Sequence, residues 1–152
     1  MIAVLFVCMA NICRSPALMA TLRHLALKRK VEIEVESCGI GWVHLGERAD
    51  PRSFEAAKKR GILIDHRAQQ FQNSFFEAYD FILTVEEEIS EQLKLRTAEH
   101  KNKIHLATDF SHKFKGQGIP DPYYMSRSGF DEVMELMIDC CEGFLDHIQK
   151  II

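Results

Sequence analysis

The stretch Cys8-Met9-Ala10-Asn11-Ile12-Cys13-Arg14-Ser15-Pro16 directly follows the apolar run Ile2-Ala3-Val4-Leu5-Phe6-Val7. An unbroken apolar run of this kind predicts a strand that is buried on both faces, as in a parallel sheet. Ser15 as the N-cap and Pro16 at the first helical position predict that a helix begins there. A strand, a short loop and a helix form the start of a βαβ unit. They place the Cys8 thiol beside the backbone N–H groups of the loop, an arrangement that suits a phosphate group.

Strands and helices are predicted to alternate along the rest of the chain. Segment 31–37 alternates apolar and acidic residues, which is typical of an edge strand, and we expect it to run parallel to the first strand. Further strands are predicted at 79–85 and 103–107, and helices at 50–61, from 86 onward and at 130–151, the last with 3-4 apolar spacing. These elements predict an α/β fold, a doubly wound four-stranded parallel sheet with helices on both faces and strand order 2-1-3-4. Residues 1–152 are expected to form a single domain.

Composition and charge exclude several classes of protein. A hydrophobic fraction of 47% and a charged fraction of 27% are ordinary for a globular protein whose core needs neither metal nor disulfides. A formal net charge of −3 argues against a nucleic-acid-binding protein that relies on bulk positive charge. No stretch approaches the ~18 apolar residues that cross a bilayer, so no membrane partner is expected.

The cysteines and histidines indicate the compartment and the absence of a metal site. The chain has five cysteines, an odd number, and no two of them form a C-x-x-C pair. This pattern favours a reducing compartment, which we take to be the cytoplasm. The seven histidines show no H-x-x-x-H or Cys/His ligand spacing, so neither a metal nor another cofactor is expected. The cysteines are Cys8, Cys13, Cys38, Cys140 and Cys141.

The loop between the first strand and the helix has the residue types of a phosphate-transferring site. Loop N–H groups and the positive end of the helix favour the thiolate form of Cys8, which is the nucleophilic form. Arg14 offers a planar fork that can hold two phosphate oxygens. Ser15 can donate its hydroxyl to the thiolate. On this motif alone, a buried cysteine that merely ends a core strand, with Arg14 in solvent, is an equally good interpretation.

Two separated motifs resemble a known family. Cys8-x-x-Asn11-x-Cys13-Arg14-Ser15-Pro16 together with Asp121-Pro122-Tyr123-Tyr124 is similar to the low-molecular-weight protein tyrosine phosphatases. The resemblance covers essentially the whole chain and includes Ser37 and segments 46–52, 65–68 and 79–83. It implies that the chain hydrolyses phosphotyrosine in a protein or peptide, with a tyrosine kinase as one candidate substrate, and that it acts as a monomer.

The resemblance also implies a role for each residue of the site. Cys8 would attack phosphorus to form a cysteinyl-phosphate, Arg14 would hold the phosphate oxygens, and Asp121 would act as general acid and then as general base. Met9, Ala10, Ile12 and Cys13 would complete the phosphate loop. The side chains expected to support this loop in a hydrogen-bonded network are those of Asn11, Ser15, Ser37 and His66.

Pocket walls, redox chemistry and one departure complete the expectations from the resemblance. The candidate walls for the substrate ring are Ile12, Trp42, His44 and Tyr123. Ile12 favours phosphotyrosine, since the phosphoarginine-specific relatives resemble this motif with threonine in its place. Cys13 is the candidate partner for a reversible disulfide with Cys8. Ala10 stands where relatives usually have glycine, and alanine would cost on the order of 1 kcal/mol if that position required a positive φ.

Two other functions compete with this interpretation. An arsenate reductase has the same fold and a similar loop, but it needs resolving cysteines farther along the chain, and segment 66–103 contains no cysteine. A catalytically inactive phosphotyrosine-binding module would keep the loop without the chemistry. The presence of both Cys8 and Asp121 argues against such a module.

Overall fold

The computed structural model describes residues 1–152 and contains one sheet of four parallel strands. The strands lie in the order β2-β1-β3-β4, so the predicted class, strand number, parallel pairing and order are confirmed. Their bounds are Ile2–Cys8 for β1, Ile33–Gly39 for β2, Phe81–Thr84 for β3 and Ile104–Leu106 for β4.

β1 lies at the centre of the sheet. Every residue from Ala3 to Cys8 is buried, and Val4 pairs with Val35 of β2 on one side and with Phe81 of β3 on the other. A strand with partners on both sides and no solvated face must be apolar throughout, which is the pattern of its sequence. Among the four strands, β2 pairs with β1 alone, and it exposes Glu34, so it is the predicted edge strand.

Helices flank the sheet and enclose one connected core of 40 buried residues. α1, α2 and α5 pack against one another, and α4 packs against β3 and β4. α2 is capped at its start by Asp50, whose carboxylate accepts a hydrogen bond from the Arg52 N–H. The helices are α1 at Arg14–Arg29, α2 at Pro51–Lys58, α3 at Phe75–Ala78, α4 at Glu87–Lys94 and α5 at Arg127–Ile151.

Several element boundaries differ from those predicted by one to three residues, and two of these differences have a clear cause in the structure. α1 begins at Arg14, with Cys13 at the N-cap position and no side-chain cap, so the prediction of Ser15 as N-cap is wrong. The Ser15 side chain is buried and bonds to the adjoining loop instead. β2 begins two residues later than predicted because Lys30 adopts a left-handed conformation and the Val31 N–H still donates to the Ala26 carbonyl of α1.

Residues 107–110 form a 3₁₀ helix, although residue 107 was predicted as the end of a strand. None of the helices combines the length and the apolar composition of a membrane-spanning segment. No group of three or more histidine, cysteine, aspartate or glutamate side chains is placed to hold a metal ion.

The contact between α5 and residue 110 is close enough to require a glycine. A Cβ at Gly143 would lie 1.7 Å from the Phe110 carbonyl oxygen, so one of the two backbones would have to move. We therefore expect Gly143→Ala to lower the free energy of unfolding by about 3 kcal/mol or more, measured by urea titration. Glu132→Ala, on the exposed side of the same helix, should stay within about 0.5 kcal/mol of the unsubstituted protein. An unchanged midpoint for Gly143→Ala would contradict this packing.

Candidate active site at the carboxyl end of the first strand

The loop between β1 and α1 is curved by one residue in a left-handed conformation. That residue is Asn11, with φ of 59°, and asparagine is one of the few residue types that adopt this region readily. Ala10 does not have a positive φ, so alanine in place of the relatives' glycine carries no backbone penalty of that kind. The loop also lies close to the end of β2, since a Cβ at Gly39 would approach the Met9 carbonyl oxygen to 2.7 Å.

Hydrogen-bond donors surround the Cys8 thiol. The Asn11 N–H donates to Cys8 Sγ over 3.1 Å, and the Ser15 hydroxyl lies 2.9 Å from the same sulfur. The N–H groups of Met9, Ala10, Ile12 and Cys13 donate to no protein acceptor. These four residues line a cavity of about 210 Å³ together with Cys8. Free loop N–H groups at a helix N-terminus are a site for an anion, here directly beside a buried thiol.

Arg14 is buried and held by two acceptors through one of its terminal nitrogens. Nη1 donates to Glu86 Oε2 and to the Ile119 carbonyl, each over 3.0 Å. Nε and Nη2 make no hydrogen bond, and Nη2 lies 3.7 Å from Asp121 Oδ2. The guanidinium is therefore fixed in orientation while two of its nitrogens remain available to a phosphate group.

Asp121 reaches the same cavity from the segment that precedes α5. Its carboxylate is about half exposed, and Oδ1 accepts a hydrogen bond from the Tyr123 N–H over 3.0 Å. The segment is anchored to the sheet two residues earlier, where the Ile119 N–H donates to the Val85 carbonyl. Asp121 thus lines a cavity whose floor contains Cys8 and Arg14, which are more than a hundred residues away in the sequence.

The side chain of Asn11 joins the loop to α1, to β2 and to the segment that contains Gln69. Its Nδ2 donates to Ser15 Oγ over 2.8 Å and to Ser37 Oγ over 3.0 Å, and its Oδ1 accepts from the Gln69 N–H over 2.9 Å. His66 Nε2 donates to the Asn11 carbonyl over 2.8 Å. Every polar atom of the buried amide is therefore paired, which is what keeps such a group stable in a core.

His66 is a neutral donor in this network near pH 7. Burial lowers the pKa of His66, and the hydrogen bond to the Asn11 carbonyl only partly opposes this effect. A neutral imidazole whose Nε2 carries the proton donates to a carbonyl without placing a charge behind the loop.

Cys13 lies in the same cavity as Cys8 but in a different electrostatic environment. Burial, reinforced by the carboxylates of Asp50 and Asp121, raises the pKa of Cys13. Cys13 is consequently a neutral thiol near pH 7, and the disulfide with Cys8 stays a prediction. All five cysteines are buried and free.

The cavity walls correct one expectation from the sequence. Ile12, His44 and Tyr123 line the cavity, but Trp42 does not, and 67% of its surface is exposed. The turn closed by the Leu45 N–H and the Trp42 carbonyl presents His44 to the cavity instead. His44 Nδ1 lies 2.8 Å from Glu47 Oε2, which fixes the ring.

Two residues of the site were missed in the sequence. Tyr124 lines the cavity, although it was interpreted only as part of a motif. Glu86 was predicted only as the start of a helix, whereas it is the ion-pair partner of Arg14. Its position directly after β3 was the available signal, since β3 ends at the same edge of the sheet as Cys8.

Known proteins share this chain's sequence and fold over almost its full length. A family model described as low molecular weight phosphotyrosine protein phosphatase matches residues 3–151. The chain belongs to this family of hydrolases. The low molecular weight protein-tyrosine-phosphatase YfkJ of Bacillus subtilis is 36% identical in an alignment 155 positions long, which covers 99% of this chain and 97% of that protein.

Solved structures of the family agree. The crystal structure of a protein tyrosine phosphatase from Entamoeba histolytica superimposes with a TM-score of 0.95 at 31% identity, covering 99% of this chain and 98% of that one. A Drosophila arginine phosphatase, DARP, superimposes with a TM-score of 0.89 at 28% identity, covering 95% and 96%. The fold of this chain is therefore shared by a protein that is named for a different substrate.

The ion pair between Glu86 and Arg14 leads to a prediction about positioning. Without the Glu86 carboxylate, the guanidinium keeps only the Ile119 carbonyl as a hydrogen-bond acceptor, and its orientation toward phosphate becomes less fixed. Glu86→Ala is expected to lower kcat/KM for phenyl phosphate by roughly 10- to 100-fold, whereas Glu86→Gln, which keeps an acceptor oxygen, recovers much of the loss. Glu88→Ala, an exposed neighbour, is the control. Equal rates for the Ala, Gln and unsubstituted proteins would show that Glu86 does not position Arg14.

Proposed function

We propose that this phosphatase hydrolyses phosphotyrosine through a cysteinyl-phosphate intermediate, with Cys8 as nucleophile, Arg14 as phosphate ligand and Asp121 as general acid and base. The observation that carries the proposal is the convergence of these three side chains on one cavity lined with free N–H groups. Donors that point where negative charge accumulates stabilise a transition state without having to reorganise.

In the first step, Cys8 Sγ attacks phosphorus and the bond from phosphorus to the phenolic oxygen breaks. The phenolate of tyrosine is a poor leaving group, since its parent acid has a pKa of about 10. Asp121 supplies a proton to that oxygen as the bond breaks, so that a neutral phenol departs. Its half-exposed position at the mouth of the cavity is consistent with a residue that meets the leaving group rather than the phosphate.

In the second step, Asp121 takes a proton from a water molecule that attacks the cysteinyl-phosphate. The bond between phosphorus and sulfur breaks, inorganic phosphate is released and the thiolate of Cys8 returns. The Asn11 N–H and the Ser15 hydroxyl, at 3.1 and 2.9 Å from the sulfur, stabilise its negative charge both before attack and on departure. Arg14 holds the oxygens that are equatorial in both steps.

The walls of the cavity favour an aromatic phosphate ester. Ile12 and Tyr123 present apolar surface to an aromatic ring. None of the wall residues Ile12, His44 and Tyr123 has a carboxylate that could pair with the guanidinium of a phosphoarginine. Asp121 is the only acidic side chain in the lining, and Arg14 lies beside it. These features support phosphotyrosine over phosphoarginine, the substrate class for which the DARP relative is named.

The remaining parts of the proposal concern the setting. Five buried, free cysteines support action in the reducing cytoplasm, where a phosphotyrosine protein, including a tyrosine kinase, is the substrate of a monomeric enzyme. Arsenate reduction is less well supported, because Cys38, Cys140 and Cys141 line no part of the cavity from which a disulfide with Cys8 would be resolved.

Replacement of the nucleophile tests the reaction class. Cys8→Ser is expected to lower kcat for phenyl phosphate by about 10⁴-fold or more while still binding a phosphotyrosine peptide, because the N–H groups and Arg14 remain. A panel of phosphotyrosine, phosphoserine and phosphoarginine should show hydrolysis of the first alone, with EDTA present. Cys140→Ala, which changes a cysteine on α5, should keep full activity. Unchanged turnover by Cys8→Ser would rule out the covalent mechanism. Preferred hydrolysis of phosphoarginine would show that the substrate is phosphoarginine and not phosphotyrosine.

The leaving group tests the role of Asp121. Asp121→Ala should slow phenyl phosphate by roughly 10²- to 10⁴-fold, but should slow an ester with an acidic phenol, such as p-nitrophenyl phosphate, much less. The difference arises because a more acidic phenol leaves without a proton. Asp109→Ala, at an exposed carboxylate elsewhere, should change neither rate. Equal losses for both esters would contradict the general-acid assignment.

A further inference from the structure

Exposed apolar side chains are concentrated on the two segments that border the catalytic cavity. Val43 is 74% exposed, Leu45 52% and Tyr124 92%, alongside the exposed Trp42. Met9, in the phosphate loop itself, is also exposed. We call these five side chains the rim. Clustered exposure of large apolar side chains is unusual on a folded monomer and is typical of a surface that meets a partner.

The rim is joined to the cavity by short-range structure. His44, which lines the cavity, stands between Val43 and Leu45 in one turn, and Tyr124 follows the lining residue Tyr123. The Gly41 N–H donates to the Met9 carbonyl over 2.8 Å, which ties the start of the turn to the phosphate loop. A ligand in the cavity therefore emerges between the members of the rim.

The size of the cavity determines what meets the rim. At about 210 Å³ the cavity is smaller than the ~300–1,000 Å³ that drug-sized ligands fill, so it holds an aryl phosphate but not the peptide that carries it. When a phosphotyrosine side chain is in place, the residues before and after it in its own chain are left at the mouth. The residues that flank the phosphotyrosine in its own chain are therefore the ones that contact the rim.

Charged groups near the mouth are largely engaged by one another. Glu47 pairs with His44, and Arg52 pairs with Asp50 over 3.0 Å. Arg48 lines a separate cavity with Phe54 and Ile64. The surface presented to flanking residues is thus aliphatic and aromatic, with few free charges to select acidic or basic neighbours.

Building on the proposed function, we propose that this phosphatase selects phosphotyrosine sites flanked by apolar residues, which pack on Trp42, Val43, Leu45 and Tyr124. Aromatic side chains at the centre of such a contact usually carry most of its binding energy. The preference resides in binding of the flanks and not in the chemical step, so it affects KM for peptides and leaves small aryl phosphates unaffected.

Two phosphotyrosine peptides of equal length test the proposal, one with Leu and Val around the phosphotyrosine and one with Ser and Gly. The unsubstituted protein should cleave the apolar peptide with a kcat/KM about tenfold higher, mostly through KM. The double variant Trp42→Ala, Val43→Ser should lose this preference while its turnover of phenyl phosphate stays unchanged. Leu95→Ser, at an exposed leucine that follows α4, is the matched control and should keep the preference.

Several outcomes would overturn the proposal. One is equal kcat/KM for both peptides in the unsubstituted protein, and another is an equal loss for both in the double variant. A third is a dimer in sedimentation that the double variant converts to a monomer, because a second copy would then cover the rim. Binding of both peptides to the Cys8→Ser variant is measured as well, so that the preference for apolar flanks is decided without any hydrolysis. A failure of the unsubstituted protein to hydrolyse phenyl phosphate would count against the proposed function alone.

Discussion

The positive φ of Asn11 is the constraint on which the rest of the site depends. A left-handed residue in the middle of the loop turns the chain so that N–H groups on both sides face one cavity. That conformation is held by the side chain of the same residue, whose amide forms hydrogen bonds with Ser15, Ser37 and the Gln69 N–H. Gly39 allows the close approach behind the loop. The anion site is thus a consequence of backbone geometry. The thiol of Cys8 lies beside it because Cys8 is the last residue of β1.

Because Arg14 is buried, its positive charge needs charged or polar partners inside the protein. A buried guanidinium with no partner would be costly, and here Glu86 and the Ile119 carbonyl satisfy one side while Asp121 lies near the other. The two carboxylates have different surroundings. Glu86 is hydrogen-bonded to Nη1, whereas Asp121 lies farther away and is about half exposed, which is consistent with the proton exchange proposed for it.

Sequence patterns predicted the parts of this structure that depend on local chemistry. The apolar run of β1, the alternation of β2 and the Asp50-Pro51 helix start each reflect burial or capping that neighbouring residues determine. The errors lie where a distant contact decides. Ser15 was assigned to a helix cap because serine suits that position, yet Asn11 and Cys8 engage its hydroxyl instead. Likewise, whether Trp42 or His44 faces the cavity depends on a turn closed by backbone hydrogen bonds, which ring chemistry does not reveal.

The contacts that shape the phosphate loop span most of the chain. Asn11 bonds to the Gln69 N–H at a separation of 58 residues, and Arg14 bonds to Glu86 and to Ile119 at separations of 72 and 105. Contacts of such long sequence separation form late in folding, because closing the intervening chain costs entropy before the contact repays it. During synthesis Cys8, the proposed nucleophile, emerges early, whereas Ile119, whose carbonyl holds the Arg14 guanidinium, emerges much later. A partly made chain therefore carries Cys8 without an assembled site, and the proposed reaction requires a fold that is almost complete.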